Sequence, residues 1–338
     1  WLFLWVLLLL FLFGLVSGFG VIPSFLFYGE LQKGNLLISA ISFLAYYVNR
    51  HFLIRYLGDA ARYFSGSPQH VKMRNDILQE GIDFIKHISD SGKYERIIIV
   101  GHSLGSVIAY DILKYLWADY NTVHGNPEIV NPEPLEALEK LVNDWPETTD
   151  EQMLAAYQKG QEDLWVQQRK HGNPWLITDF ITLGSPLAHA PFLLSNSGAE
   201  FTIRKSDREF PTCPPILENG HFHFFNKAKD YLTEKGEKRS IYLLHHAALF
   251  GPTRWTNLYF PLDLIGGPLG PVFGKGIKDI EVGLAKKWLG KTPLSHTRYW
   301  DARPFSARSS ELPENSSTVQ LIKAMRLNSR KLLQKVKP

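Results

Sequence analysis

Residues 96–117 read Arg-Ile-Ile-Ile-Val-Gly-His-Ser-Leu-Gly-Ser-Val-Ile-Ala-Tyr-Asp-Ile-Leu-Lys-Tyr-Leu-Trp. This stretch decides the fold. A β-branched run, Ile97 to Val100, reads as a strand. Gly101-His102-Ser103-Leu104-Gly105 follows, and then apolar residues recur at helical spacing. A strand, a sharp turn and a helix around G-x-S-x-G is the setting in which a serine sits on a strained turn with its hydroxyl projecting. A side chain at either Gly101 or Gly105 is expected to collide with the neighbouring strand or helix. Ser103 is therefore the candidate nucleophile.

Ile-Val-Gly-His-Ser-Leu-Gly-Ser-Val-Ile-Ala resembles the nucleophile elbow of α/β-hydrolases of the lipase and esterase type. The resemblance spans roughly residues 55–305 and is most specific at the elbow. It implies an α/β fold with a mostly parallel sheet flanked by helices. It also implies the chain order Ser, then Asp or Glu, then His. A serine hydroxyl needs a base at neutral pH, and the base needs an orienting carboxylate.

Asp263 is the best acid. It follows the aromatic, strand-favouring run Arg254-Trp255-Thr256-Asn257-Leu258-Tyr259-Phe260, and Gly266-Gly267-Pro268 opens a loop beyond it. His296 is the best base. It lies in Pro293-Leu294-Ser295-His296-Thr297-Arg298-Tyr299-Trp300, after a second strand-like run at 276–282, and is the last histidine of the chain. Ser-His-x-x-Tyr is similar to the histidine loop of the superfamily. The backbone N–H of Leu104 is the first oxyanion donor that the resemblance implies.

Other candidates fit less well. Asp279 is the runner-up acid and Asp179, inside the run 175–182, a third. His245 and His246 precede Asp263 and break the order; they are expected on a helix face or in the pocket. His221 and His223 alternate with phenylalanines, as on a half-buried strand or a lid. No third ligand at metal spacing accompanies them, so no metal and no cofactor is expected. Ser185 is followed by Pro186, so no elbow helix starts there, and it reads as structural.

The family pattern draws a second oxyanion donor from a His-Gly-type loop upstream of the elbow. Here the His-Gly pairs, His124-Gly125 and His171-Gly172, both lie downstream. With an opening Trp1 instead of methionine, the expectation is an N-terminally truncated chain whose missing piece carries the first strands and that loop. A shortened sheet that takes its donor from elsewhere is the alternative.

Residues 1–29 carry no charged side chain, long enough for a transmembrane helix at roughly 20 residues per span, with a signal peptide as the alternative. A second apolar stretch, 34–49, reads as a second span or an interfacial segment. Arg50, Arg55 and Arg62 follow it, whereas Lys33 and Glu30 stand before it, so the catalytic domain is expected to face the cytoplasm. The single Cys213 forms no intrachain disulfide and fits a reducing compartment.

The domain reading is a membrane anchor at 1–57, a catalytic domain at 58–310 and a basic tail at 311–338. A helix is expected over 68–90, ahead of the elbow strand. A helical insertion at 121–173 is expected, with Leu135, Leu138 and Leu141 on one stripe and Met153, Leu154, Tyr157 and Trp165 on another. It reads equally as a lid or as a peripheral helical pair. Residues 196–240 read as irregular and charge-mixed, a second candidate for pocket cover. The tail, with Lys323, Arg326 and Arg330, is expected to lie on anionic lipid or to be a solvated helix.

A net charge of +4 over 338 residues, with no nucleic-acid motif, argues against a nucleic-acid partner. The expected function is a membrane-bound serine hydrolase acting on an ester or lipid. Acyl transfer and a non-catalytic binding module are the alternatives. The oligomeric state is not legible.

Overall fold

The computed structural model describes residues 54–123, 133–146, 151–170, 172–217, 223–232, 236, 238–283, 293–301, 313–329 and 332. The apolar stretches of residues 1–49, and with them the expected membrane spans, lie outside the described residues. No helix among the described residues is long and apolar enough to cross a membrane.

The chain divides into two compact units, Trp1–Asn75 and Asp76–Pro338. In the first, α1 (Ile54–Phe64) precedes the opening turns of α2 (Pro68–Asp90). Ser67 before Pro68 starts α2, because proline's fixed φ suits a first helical position and its missing N–H costs nothing there. Arg74 donates to the Tyr63 carbonyl at 2.9 Å and ties the two helices together.

Among the described residues, the second unit is built on four parallel strands. They are β1 (Ile97–His102), β2 (Ile177–Leu183), β5 (Arg254–Tyr259) and β6 (Lys278–Glu281), neighbours in that order. Parallel pairing forces a crossover between each pair. After β1 comes the long α3 (Leu104–Val123), then α4 (Glu133–Asn143) and α5 (Glu151–Lys170). Between β2 and β5 lie a short 3₁₀ turn (Pro186–His189), α6 (Ala190–Leu193), α7 (Gly198–Ser206) and an antiparallel hairpin, β3 (Phe225–Leu232) with β4 (Lys238–Leu244). Helix α8 (Gly270–Phe273) links β5 to β6, and α9 (Ser317–Met325) closes the described chain.

The two central strands, β2 and β5, are covered on both faces. Every residue of β2 is buried, as its near-continuous apolar run requires. On one face Phe180 and Trp255, register partners on β2 and β5, stack on Phe250, and Tyr110 of α3 packs at a tilt against Trp255. On the other face Ile181, Leu183 and Leu258 meet Tyr299 and Leu321 of α9. The alternation Phe180/Ile181 is thus read by two different helical layers.

Three expectations change here. The described residues of 196–240 are not all irregular: they hold α7, β3 and the start of β4, whose period the frequent charges had hidden. The described residues 313–329 of the expected tail are docked on the domain, since Leu321 is core and Arg326 is tied into the fold. The insertion contributes α4 and α5, and α5 acts as a buttress. Its Tyr157 hydroxyl and Gln161 amide donate to Phe250 O at 2.9 and 2.7 Å, and Gln161 reaches Thr253 O at 3.0 Å. These carbonyls lead into the N-terminal end of β5, the end away from Ser103.

Candidate active site

Ser103 occupies the turn between β1 and α3 at φ +54°, a left-handed conformation that is unfavourable for a side chain. The surroundings hold it there. Its N–H donates to Leu183 O at 3.0 Å, continuing the β1–β2 ladder by one residue. Its carbonyl accepts from the N–H of Ser106 at 2.9 Å and from the Ser106 hydroxyl at 2.6 Å. The Ser106 hydroxyl also lies 2.7 Å from Ser185 Oγ, which caps the 3₁₀ turn by accepting from Leu187 N–H. Ser185 is therefore structural, as its Pro186 neighbour suggested.

The two elbow glycines differ. A Cβ on Gly101 would stand 2.5 Å from Ser106 Cα, where no atom fits. A Cβ on Gly105 would meet nothing within 4 Å. The expected collision at Gly105 is thus wrong: strand and helix approach closely only on the Gly101 side.

The structure brings the three predicted residues together. Ser103 Oγ is 2.8 Å from His296 Nε2. His296 Nδ1 is 2.9 Å from Asp263 Oδ2 and 3.0 Å from Oδ1. An ionised carboxylate only accepts, so Nδ1 carries the imidazole proton and Nε2 is left to accept from Ser103. The His296 and Asp263 side chains are fully buried, while Ser103 is half-buried. Burial alone would raise the Asp263 pKa. The hydrogen bond and charge of His296, with the N–H groups of Ile265 and Gly266, outweigh it and hold the carboxyl below its ordinary value.

His102, the variable position of the elbow, stacks on the His296 ring with centroids 5.2 Å apart. Its Nε2–H donates to the His296 carbonyl at 3.1 Å. Burial lowers its pKa, so it stays a neutral prop beside His296. Leu104 opens α3, and the first N–H groups of a helix lack intrahelical acceptors, which suits an oxyanion donor. Among the described residues, everything upstream of β1 is helix or short connection, and no strand there delivers a second donor.

The rival residues go elsewhere. Asp279 accepts from Leu269 and Gly270 N–H and from the Asn257 amide, and so pins the loop beyond β5. Asp179 pairs with arginines at the opposite end of the sheet. His245 bonds the His223 carbonyl at 2.8 Å and the Ala247 N–H at 3.1 Å, in a turn after β4 and not on a helix face. His246 is exposed beside it, and His221 lies outside the described residues. His223 sits between Pro215 O and Asn143 Oδ1.

One site residue had no role in the sequence reading. Tyr299 is fully buried, and its hydroxyl lies 2.9 Å from Asp263 Oδ2 and 2.9 Å from the Phe260 nitrogen. Its signal was the spacing His-x-x-Tyr, which one 3₁₀ turn (Pro293–Arg298) brings to the same acid. No family model, curated protein or solved structure matches the chain.

Proposed function

We propose that this protein is a serine hydrolase of α/β-hydrolase type that cleaves carboxylic esters through an acyl-enzyme. The observation that carries the reading is the unbroken relay from Ser103 Oγ through the His296 ring to Asp263, with spacings of 2.8 and 2.9 Å. The residues stand at the carboxyl ends of β1 and β5 and in a loop after β6, where open parallel sheets place their sites.

His296 Nε2 takes the Ser103 proton as Oγ attacks the ester carbonyl. Asp263 keeps the imidazole in the required tautomer and stabilises the imidazolium. Charge on the carbonyl oxygen falls to the Leu104 N–H at the positive end of α3. His296 then hands its proton to the leaving alcohol. Water, activated by the same base, releases the acyl group.

An apolar acyl ester suits the surroundings. Leu262 and Leu264, on either side of Asp263, are 51% and 36% exposed, and Trp300 beside Tyr299 is 56% exposed. The Trp300 ring lies 6.0 Å from that of His102. The uncharged residues 1–29 favour attachment to a bilayer, and the arginines after the second apolar stretch favour a cytoplasmic face.

The test is fluorophosphonate labelling of the full reading frame expressed in membranes, with Ser103→Ala beside it. Labelling of the wild type alone is the expected result. A folded wild type that takes no label, or a Ser103→Ala variant that still does, overturns the reading.

A further inference from the structure

We propose that Tyr299 is a positioning residue of this site, its hydroxyl holding the Asp263 carboxylate against His296. The proposal rests on reading Ser103, His296 and Asp263 as a working triad.

The direction of the hydrogen bonds is fixed by counting protons. A phenol has one proton to give. The Phe260 N–H has only a proton to give, and it gives it to the Tyr299 oxygen at 2.9 Å. The phenolic proton is therefore directed to Asp263 Oδ2, also at 2.9 Å. Burial and the neighbouring Asp263 charge both raise the Tyr299 pKa, which keeps the phenol protonated and a donor.

Asp263 is then held on both oxygens. Oδ1 accepts from Ile265 N–H at 2.9 Å, Oδ2 accepts from Tyr299, and the His296 Nδ1–H lies between them. Without the phenol, Asp263 would keep the backbone N–H groups of Ile265 and Gly266 and the imidazole, and would lose a side-chain donor that does not change charge during turnover.

The fold makes room for this arrangement. Gly184, just past β2, adopts φ +54°, and a Cβ there would stand 2.5 Å from Tyr299 Cε2 and 2.9 Å from Asp263 Oδ2. The ring is clamped against Phe260, with centroids 4.6 Å apart. The Tyr299 carbonyl accepts from the Ser317 hydroxyl at 2.6 Å, which anchors the turn to the start of α9. Base and clamp share one turn three residues apart, so a displacement of that turn moves both against the acid together.

Phenylalanine at 299 keeps the ring and deletes only the donor. The probe is fluorophosphonate, with its labelling rate followed against pH on the full-length protein. The expected fall at the plateau is about tenfold, the scale of one hydrogen bond to a charged group. Losing the donor leaves Asp263 more strongly negative toward the imidazolium. The acid limb of the Tyr299→Phe profile therefore moves up by about half a pH unit.

Replacing Tyr299 by 3-fluorotyrosine, a stronger donor of similar shape, moves the limb the other way. In an Asp263→Asn background, Tyr299→Phe costs nothing further, because the group it acts through is gone. A wild-type rate and profile in Tyr299→Phe, or an undiminished loss in the Asp263→Asn background, overturns the proposal. A limb that does not respond to the fluorotyrosine also overturns it. Because Ser103→Ala tests the triad separately, a labelled wild type with an inert Tyr299→Phe condemns this inference alone.

Discussion

Two buried aspartates stand at opposite ends of the same parallel sheet, and they do different work. Asp263, beyond β5, faces an imidazole, a phenol and backbone N–H groups. Asp179, near the start of β2, faces guanidinium groups. Arg254, its register partner on β5, donates from Nε at 2.8 Å and again from Nη2. Arg96 and Arg326 stand 3.5 and 3.6 Å from its other oxygen, and Arg326 also pairs with Glu162. Helix α9 joins the two ends. Ser317 at its start holds Tyr299, and Ala324 and Met325 near its end give carbonyls to Arg254 and Arg96.

The partners decide the role. Guanidinium groups remain charged throughout the range in which proteins fold, so the Asp179 end has no proton to move and serves as a clasp. An imidazole can gain a proton and lose it again, so the Asp263 end can do acid–base work. Both carboxylates are desolvated to a similar degree; burial alone would not have told them apart.

Substitution should separate the two ends cleanly. The largest effect is expected from Asp263→Asn, whose amide no longer selects the Nδ1–H tautomer. By analogy with other triads the labelling rate falls about 10³- to 10⁴-fold. Chemical unfolding of the variant shows only a modest change. A rate within tenfold of wild type would dissolve the contrast. Asp179→Asn should do the reverse. It leaves three arginines against Glu162 and lowers the stability of the Asp76–Pro338 unit by about 3–5 kcal/mol, because a buried charge that loses its partner is expensive. Denaturant titration measures that loss. The labelling rate per folded molecule stays at the wild-type value, and a fall in it would mean that the clasp also tunes the site.

The Asp263 end was more legible in the sequence than the clasp. Ser103 announces itself through local pattern: an apolar strand, two glycines and a helix within twenty residues. Asp263 and His296 follow from chain order and from their places just past strand-like runs. The clasp joins Arg96, Glu162, Asp179, Arg254 and Arg326, residues spread over 231 positions with no shared motif. Only strand register and the docking of α9 bring them together, so Asp179 read as a weak candidate acid and Arg326 as part of a tail. Tyr299 lies between these cases. Its spacing from His296 was visible, but its bond to Asp263 depends on a 3₁₀ turn and on the space left at Gly184. The β3–β4 hairpin was missed because Lys227, Lys229, Asp230, Lys238 and Arg239 interrupt its period.

The elbow offers the smallest and sharpest test, since it contains the same contrast at the scale of one methyl group. Sequence alone makes Gly101 and Gly105 equivalent, and the structure does not. At Gly101 the added carbon meets the Ser106 backbone at 2.5 Å and the Ser106 nitrogen at 2.9 Å, and neither can yield without moving Ser103. Gly101→Ala should therefore lower the labelling rate steeply and cost about 1–3 kcal/mol of stability, the scale of overpacking. At Gly105 the carbon enters open space in the first turn of α3, where alanine is a better helix former than glycine. Gly105→Ala should leave the rate within about twofold and raise stability by roughly 0.5 kcal/mol, the scale of the backbone-entropy gain. Thermal melts with labelling kinetics on the pair measure both effects. Equal damage at the two positions would mean that α3 lies closer to its surroundings at Gly105 than this geometry has it. Unequal damage in the stated direction would establish that the turn is braced from the Ser106 side alone, the side that also holds the Ser103 carbonyl.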